Sequence, residues 1–165
     1  MTPIDLIILA LCALFAVLST CNWVSEHQNL KWLSSKLSGF KCFFGLDNSR
    51  YLTRYTLLHL GLALRVYLHE FHRADNDRHR HNHPWAFAIS IVLCGGYFED
   101  REHDARWRLP FSVRIIRRDD YHTIMKILPN TWTLFIPFGR NSESWGFYIP
   151  GTGHVPWQLY KVGTK

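Results

Sequence analysis

The chain of 165 residues predicts an all-β domain carried behind an apolar amino-terminal segment. Three observations predict it. From about residue 50 onward, runs rich in aliphatic and aromatic side chains are broken at short intervals by turn-forming residues. That region shows no sustained helical period. The composition, 47% hydrophobic and 15% aromatic, supplies a buried core and argues against disorder, and the length suits one domain plus at most one appendage.

The appendage comes first. Leu6 to Leu18 is an unbroken apolar run, and no charged residue occurs from Leu6 to Val24. As a helix rising about 1.5 Å per residue, this stretch comes close to the roughly 30 Å hydrocarbon core of a bilayer. Trp23 then falls where an interfacial aromatic anchor belongs. A transmembrane anchor over residues 1–25 is expected. A signal peptide competes, but the start "MTPID" lacks a basic region, and in "LSTC" Thr20 is large for the residue before a lipoprotein cysteine. A buried core helix also competes, although no second helical layer is evident to cover it. Only Asp5 precedes the span, whereas Lys31, Lys36 and Lys41 follow it, so the positive-inside tendency places the remainder in the cytoplasm, on a single-pass inner-membrane anchor. Cys12, Cys21, Cys42 and Cys94 are scattered, which suits a reducing compartment.

Residues 26–49 read as an amphipathic juxtamembrane segment. In "EHQNLKWLSSKLSGFKCFF", Leu30, Leu33, Leu37, Phe40 and Phe44 recur at three- and four-residue steps, with lysines suited to lipid phosphates. A helix packed on the domain's sheet is the plainer alternative. Membrane lipids are thus expected partners of residues 6–44. The net charge of +6 likewise favours an anionic neighbour.

The domain over residues 50–165 contains the runs "RYTLLHL", "ALRVYLHEF", "WAFAISIVL", "GYFED", "FSVRIIR", "HTIMKIL", "WTLFIP", "WGFYI" and "WQLYK". Between them lie "RADND", "CGG", "RLP", "RRDD", "LPNT", "FGRNSES" and "PGTG". About nine strands without helices point to a sandwich or barrel. Gly95-Gly96 reads as a turn needing positive φ; no helix follows it to make a phosphate cradle.

Five of the ten histidines, His69, His72, His79, His81 and His83, fall within fifteen residues. On a strand, residues i and i+2 share a face, so His81 and His83 can offer two imidazoles to one ion. After this H-x-H come "PWAF", Ala88 and, beyond six further residues, Gly95. Taken with "DDYHTI", "WTLFIP", "ESWGFYIP" and "VPWQLY", the pattern resembles the cupin superfamily, and more narrowly a group of small cupin-like proteins of bacteria and phages. The resemblance covers roughly residues 50–161.

It implies a cupin-type jelly-roll barrel and a third ligand, His122, from the position of the second cupin motif. It also implies that Ala88 stands where the motif has glutamate. The implied ligand set is His81, His83 and His122. A three-histidine set resembles that of thiol dioxygenases, which bind iron(II). The same loss of the glutamate leaves room for a substrate's own carboxylate, or for loss of the metal. The implied cofactor is a divalent metal, iron(II) first, with zinc, nickel and copper compatible with imidazole ligands.

In "WAFAISIVLC", bulky Trp85, Phe87, Ile89, Ile91 and Leu93 alternate with small Ala86, Ala88, Ser90, Val92 and Cys94. The small face either floors a cavity, with Cys94 at its far end, or packs on another sheet. His69 and His72 are placed to orient ligands or simply to lie on sheet faces, and His79 is a fourth ligand or a loop residue. Tyr67 is expected to face inward, and Arg140 and Glu143 to lie in a loop at a barrel mouth. The basic residues of 106–118 read as an ordinary exposed strand face, with no nucleic-acid recognition motif.

The expected function is a membrane-anchored cupin-like metalloprotein, with a three-histidine dioxygenase acting on a small substrate as the enzyme reading. The alternative is a non-catalytic small-molecule-binding or interaction module at the inner membrane face. A homodimer through sheet edges is compatible with either.

Overall fold

The computed structural model describes residues 40–44, 49–60, 64–75, 77, 79–140 and 143–160. The transmembrane reading of residues 6–24, and the juxtamembrane reading up to residue 39, lie outside the described residues. Among the described residues no helix is long and apolar enough to cross a membrane.

Eleven strands run in chain order: β1 Phe40–Phe44, β2 Arg50–Leu60, β3 Leu64–Phe71, β4 Phe87–Cys94, β5 Tyr97–Arg101, β6 Ala105–Arg108, β7 Val113–Arg117, β8 His122–Ile127, β9 Thr131–Phe138, β10 Gly146–Ile149 and β11 Gly153–Pro156. One six-stranded sheet has the order β1-β2-β3-β9-β4-β7. Opposite it lie β6-β5-β8 and the pair β10-β11. His81 joins these last two groups, because it bridges antiparallel to both His122 of β8 and Phe147 of β10.

The inward face of the large sheet follows from its registers. Tyr67 opposes Phe135, which opposes Ser90, which is flanked by Ala88 opposite Ile116. Tyr67, Ala88, Ile116 and Phe135 form one buried cluster, with Trp85 packed against it. Val92 makes a second cluster with Tyr97 of β5 and Ile124 of β8. Tyr67 therefore faces inward as expected. The small residues of β4 also face inward, and at Val92 they close directly on the opposing sheet. Beyond Val92 the register slips, and Cys94 turns its Sγ to the carbonyl of Asn130 at 3.0 Å. Packing, not a cavity floor, describes that end of the strand.

Gly95 and Gly96 make the β4–β5 turn with φ of 68° and 150°. A Cβ on Gly95 would lie 2.6 Å from Thr131 Cα, so glycine is required both for its φ and for the close approach.

Three expectations are corrected. The stretch Phe40–Phe44 is a strand paired with β2, with Lys41 opposite Arg54 and Cys42 opposite Thr53, so the β-structure begins before residue 50. The aromatic spacing that fits a helix also places residues 40, 42 and 44 at strand period, and partner strand β2 decides between them. Next, β11 lies between the expected runs "WGFYI" and "WQLYK", and "WQLY" is itself a turn, held by bonds from Leu159 and Tyr160 N–H to the Pro156 carbonyl. Last, β7 is inverted. Val113 and Ile115 are 61% and 58% exposed, whereas Arg114 is 5% exposed and Ile116 is buried. The physical reason lies in the site.

Candidate metal centre

His81 and His83 are carried by the strap that leaves the smaller layer and crosses into β4. His81 exchanges backbone bonds with His122, N to O at 2.9 Å and O to N at 3.0 Å. Asn82 holds the next step, its N–H donating to the Gly146 carbonyl at 3.0 Å while its Oδ1 accepts from the Gly146 N–H at 2.8 Å. Asn82 Nδ2 also donates to the Arg118 carbonyl at 3.3 Å. The H-x-H segment is therefore not part of a regular strand. Its two imidazoles meet because a clamped asparagine lies between them.

One ring nitrogen from each of His81, His83 and His122 lies within 4.8 Å of the other two. The ring centroids form a near-equilateral triangle, with sides of 5.3, 5.0 and 5.0 Å. Nε2 of His83 is 2.8 Å from Nε2 of His122. Two nitrogens about 2.0–2.1 Å from one ion can subtend such a separation. Nδ1 of His81 is buried without a hydrogen-bond partner.

His122 is oriented from behind. Its Nδ1 stands 2.7 Å from Oε1 of Glu99, a carboxylate with 0% side-chain exposure. With a hydrogen on Nδ1, donated to this carboxylate, Nε2 is left bare, as a metal ligand must be, while Arg114 Nη1 stands 3.1 Å from the same Nδ1. Glu99 is held ionised by two arginines. Arg108 Nε donates to its Oε2 at 2.9 Å, and Arg114 Nη1 pairs with its Oε1. Arg108 also reaches Asp104 at 3.3 Å. This cluster explains the inversion of β7: Arg114 must turn inward to meet a fully buried charge, and Val113 and Ile115 accordingly turn outward.

Burial first, and then the positive Arg114, hold the pKa of His122 well below the ordinary histidine value. His83 is lowered in the same way by burial, then by His81 and Arg114. Neutral imidazole is the ligand form, so both rings are kept ready for a cation.

Sequence reasoning placed His81, His83 and His122 together, and the structure brings all three to one point. It missed Glu99, Arg108 and Arg114. A signal existed in "GYFED", where alternation puts Glu99 on the same face as Tyr97, a carboxylate on an apolar face that demands buried cations. Other histidines are engaged elsewhere. His69 accepts from Arg54 Nε at 2.9 Å and stacks on Phe135 at 4.9 Å, His72 Nε2 lies 2.7 Å from Thr53 Oγ1, and His79 Nδ1 lies 3.1 Å from Tyr160 OH. Glu143 accepts from Arg118 at 3.4 Å, and Arg140 is exposed. Trp145, expected only as part of the run "WGFYI", has its ring 6.3 Å from that of His81 and stacks on Trp157 at 5.8 Å.

No protein-family model and no curated protein sequence matches the chain. Solved structures do match it in fold. The DMSP lyase DddQ from Ruegeria pomeroyi is 17% identical with a TM-score of 0.50, the match covering 67% of this chain and 58% of the lyase. A cupin-like protein from Thermotoga maritima is 20% identical with a TM-score of 0.45, covering 73% of this chain and 84% of that one. A cupin superfamily protein from Desulfitobacterium hafniense is 13% identical with a TM-score of 0.44, covering 55% and 82%. At these identities the likeness is one of fold. The shared fold is an all-β sandwich, and in this chain it encloses three histidines whose ring nitrogens converge on one point and could hold a metal ion.

Proposed function

We propose that the chain is a metalloprotein in which His81, His83 and His122 hold one divalent ion, iron(II) first, and that it oxidises a small substrate as a three-histidine dioxygenase. The observation that supports this most is the pairing of convergence with preparation. Three imidazole nitrogens share one small volume, and Glu99 fixes the tautomer of His122 that leaves Nε2 free. A ferrous ion held by three protein ligands would supply open positions for dioxygen and substrate together. The chain's own part is to hold the imidazoles neutral, to fix their directions through Asn82 and Glu99, and to keep the surroundings apolar with Phe135, Phe147 and Trp145.

The same reading includes a single-pass anchor over residues 6–24 that holds the β-domain at the cytoplasmic face of the inner membrane. The length and charge of that run support it.

Elemental analysis of protein purified without chelator or immobilised nickel tests the centre. About one equivalent of iron, lost in His83→Ala, together with oxygen uptake on adding small thiols, is the expected result. A folded protein that takes up no metal would overturn the reading. Metal without oxygen uptake would favour the second reading, a non-catalytic binding module, which draws its support from Ala88 standing where the resembled motif has glutamate.

A further inference from the structure

We infer that the β6–β7 turn and the outward row of β7 form a docking face for a bilayer that contains anionic lipid. The inference deepens the anchor reading proposed above and takes its argument from reach from it. Leu109-Pro110-Phe111-Ser112 closes on itself through the Ser112 N–H, which donates to the Leu109 carbonyl at 2.9 Å. Proline second and a positive φ third are the marks of a type II turn, whose third residue is favoured as glycine or asparagine. Phenylalanine stands there instead, at φ 69° and 60% exposed. A bulky side chain in the left-handed region costs free energy, and holding its ring in water recovers none of it.

The apolar surface continues from this tip. Leu109 is 49% exposed, and Val113 and Ile115 project from the side of β7 turned away from Arg114 and Ile116. Half-buried Ile91 and Ile89 stand opposite them on β4, and exposed Phe87 stands opposite Arg117. No charged residue occurs from Leu109 to Val113. β7 is the last strand of its sheet, and among the described residues no strand pairs with its far edge. A contiguous apolar patch of this kind marks an interaction site.

Charge and reach choose the occupant. Exposed Arg117 ends the outward row, about 13 Å along the strand from Val113. Its acidic neighbours face other cations, Asp120 pairing with Arg101 at 2.9 Å and Asp119 with Arg118 at 3.3 Å. Apolar side chains at the tip and an arginine behind them match the step from acyl chains to phosphates in a lipid surface. The net charge of +6 favours the same neighbour. The fifteen residues 25–39, between the apolar run and β1, reach at most roughly 50 Å. An anchored domain therefore meets the bilayer at high effective concentration. Edge-to-edge pairing of two β7 strands would satisfy backbone groups yet leave Val113 and Ile115 standing off the sheet.

Hydrogen–deuterium exchange of the full chain provides the test, in phosphatidylcholine vesicles and in vesicles that also contain phosphatidylglycerol. Amides of residues 109–117 should exchange about fivefold more slowly in the anionic vesicles, the gain that one arginine brings at such a surface. Arg117→Glu should remove that difference. Phe111→Gly should lose the protection while keeping or raising the denaturation midpoint, because glycine accepts this φ without strain. Equal exchange in the two vesicles, or protection retained in Phe111→Gly, would overturn the inference and leave the anchor reading intact. So would protection that appears without lipid and grows with protein concentration, since a second copy would then cover the face. A chain that does not float with phosphatidylcholine vesicles would overturn the anchor reading. With that chain, slower exchange on adding phosphatidylglycerol vesicles would still support the docking face, and unchanged exchange would end it.

Discussion

Nδ1 of His122 meets the buried Oε1 of Glu99 at 2.7 Å, while Nε2 of the same ring faces Nε2 of His83 at 2.8 Å. One imidazole thus has its two ends assigned to different partners, a carboxylate behind and a second imidazole in front. The hydrogen is drawn to the rear nitrogen, and the front nitrogen is left as a donor of electrons.

Removal of single histidines tests that assignment. His83→Ala and His122→Ala should each lower metal content to background. His72→Ala and His79→Ala should not, because their nitrogens are engaged with Thr53 and Tyr160. Metal-to-protein ratios after gel filtration decide it. Retention of metal in His122→Ala would remove the centre as drawn.

Glu99→Gln keeps the shape and removes the charge. Metal affinity should fall by about 10–100-fold, as for other partners that orient metal-binding histidines. Folding stability should drop by about 3–5 kcal/mol, because Arg108 and Arg114 keep their charge without its buried counterpart. Calorimetric metal titration and urea denaturation give the two values separately.

Acid should destabilise the metal-free protein. His69 and His83 are buried, and burial holds both pKa values well below 6.5 in the folded state. The unfolded chain binds these protons near pH 6.5 and the folded chain does not, so stability is complete above that pH. It falls as pH drops below about 6.5 and continues to fall until the lowered folded values are reached. Well inside that window the slope should approach about 1.4 kcal/mol per pH unit for each of the two groups. Denaturant midpoints between pH 7 and pH 5 measure it, and His69→Phe should make the dependence shallower.

Asn82→Ala should cost about 1–3 kcal/mol, since the Gly146 N–H loses its acceptor inside the fold. Metal affinity should fall with it, because Asn82 lies between two ligands and clamps them to β10. Gly146→Ala should be worse, as its Cβ would be driven into the Val155 carbonyl and within 2.8 Å of Pro156 Cα. Denaturation midpoints of the two variants, set against metal content, distinguish clamping from simple loss of fold.

The pair in "HRHNHPW" is legible as ligands because ligand chemistry restricts residue type and the H-x-H spacing is short, whereas the histidine of "DDYHTI" joins the set only through the resemblance to the second cupin motif. Strand alternation was legible in β3 and β4, where apolar and polar faces differ. It misled in β7, where "VRIIR" offers two faces of similar make-up and the ordinary assignment would put both flanking arginines in water. Local pattern carries no record of a charge waiting on another strand.

By itself the sequence determined the β-character of the domain, the turn at Gly95-Gly96 and two imidazoles, His81 and His83, that can share an ion. Only the tertiary structure decided which way β7 faces, that Phe40–Phe44 joins the sheet, and that Glu99 stands behind His122. The physical reason is that a buried charge is tolerable only where its partners arrive, and Arg108, Arg114 and His122 come to Glu99 from three different strands.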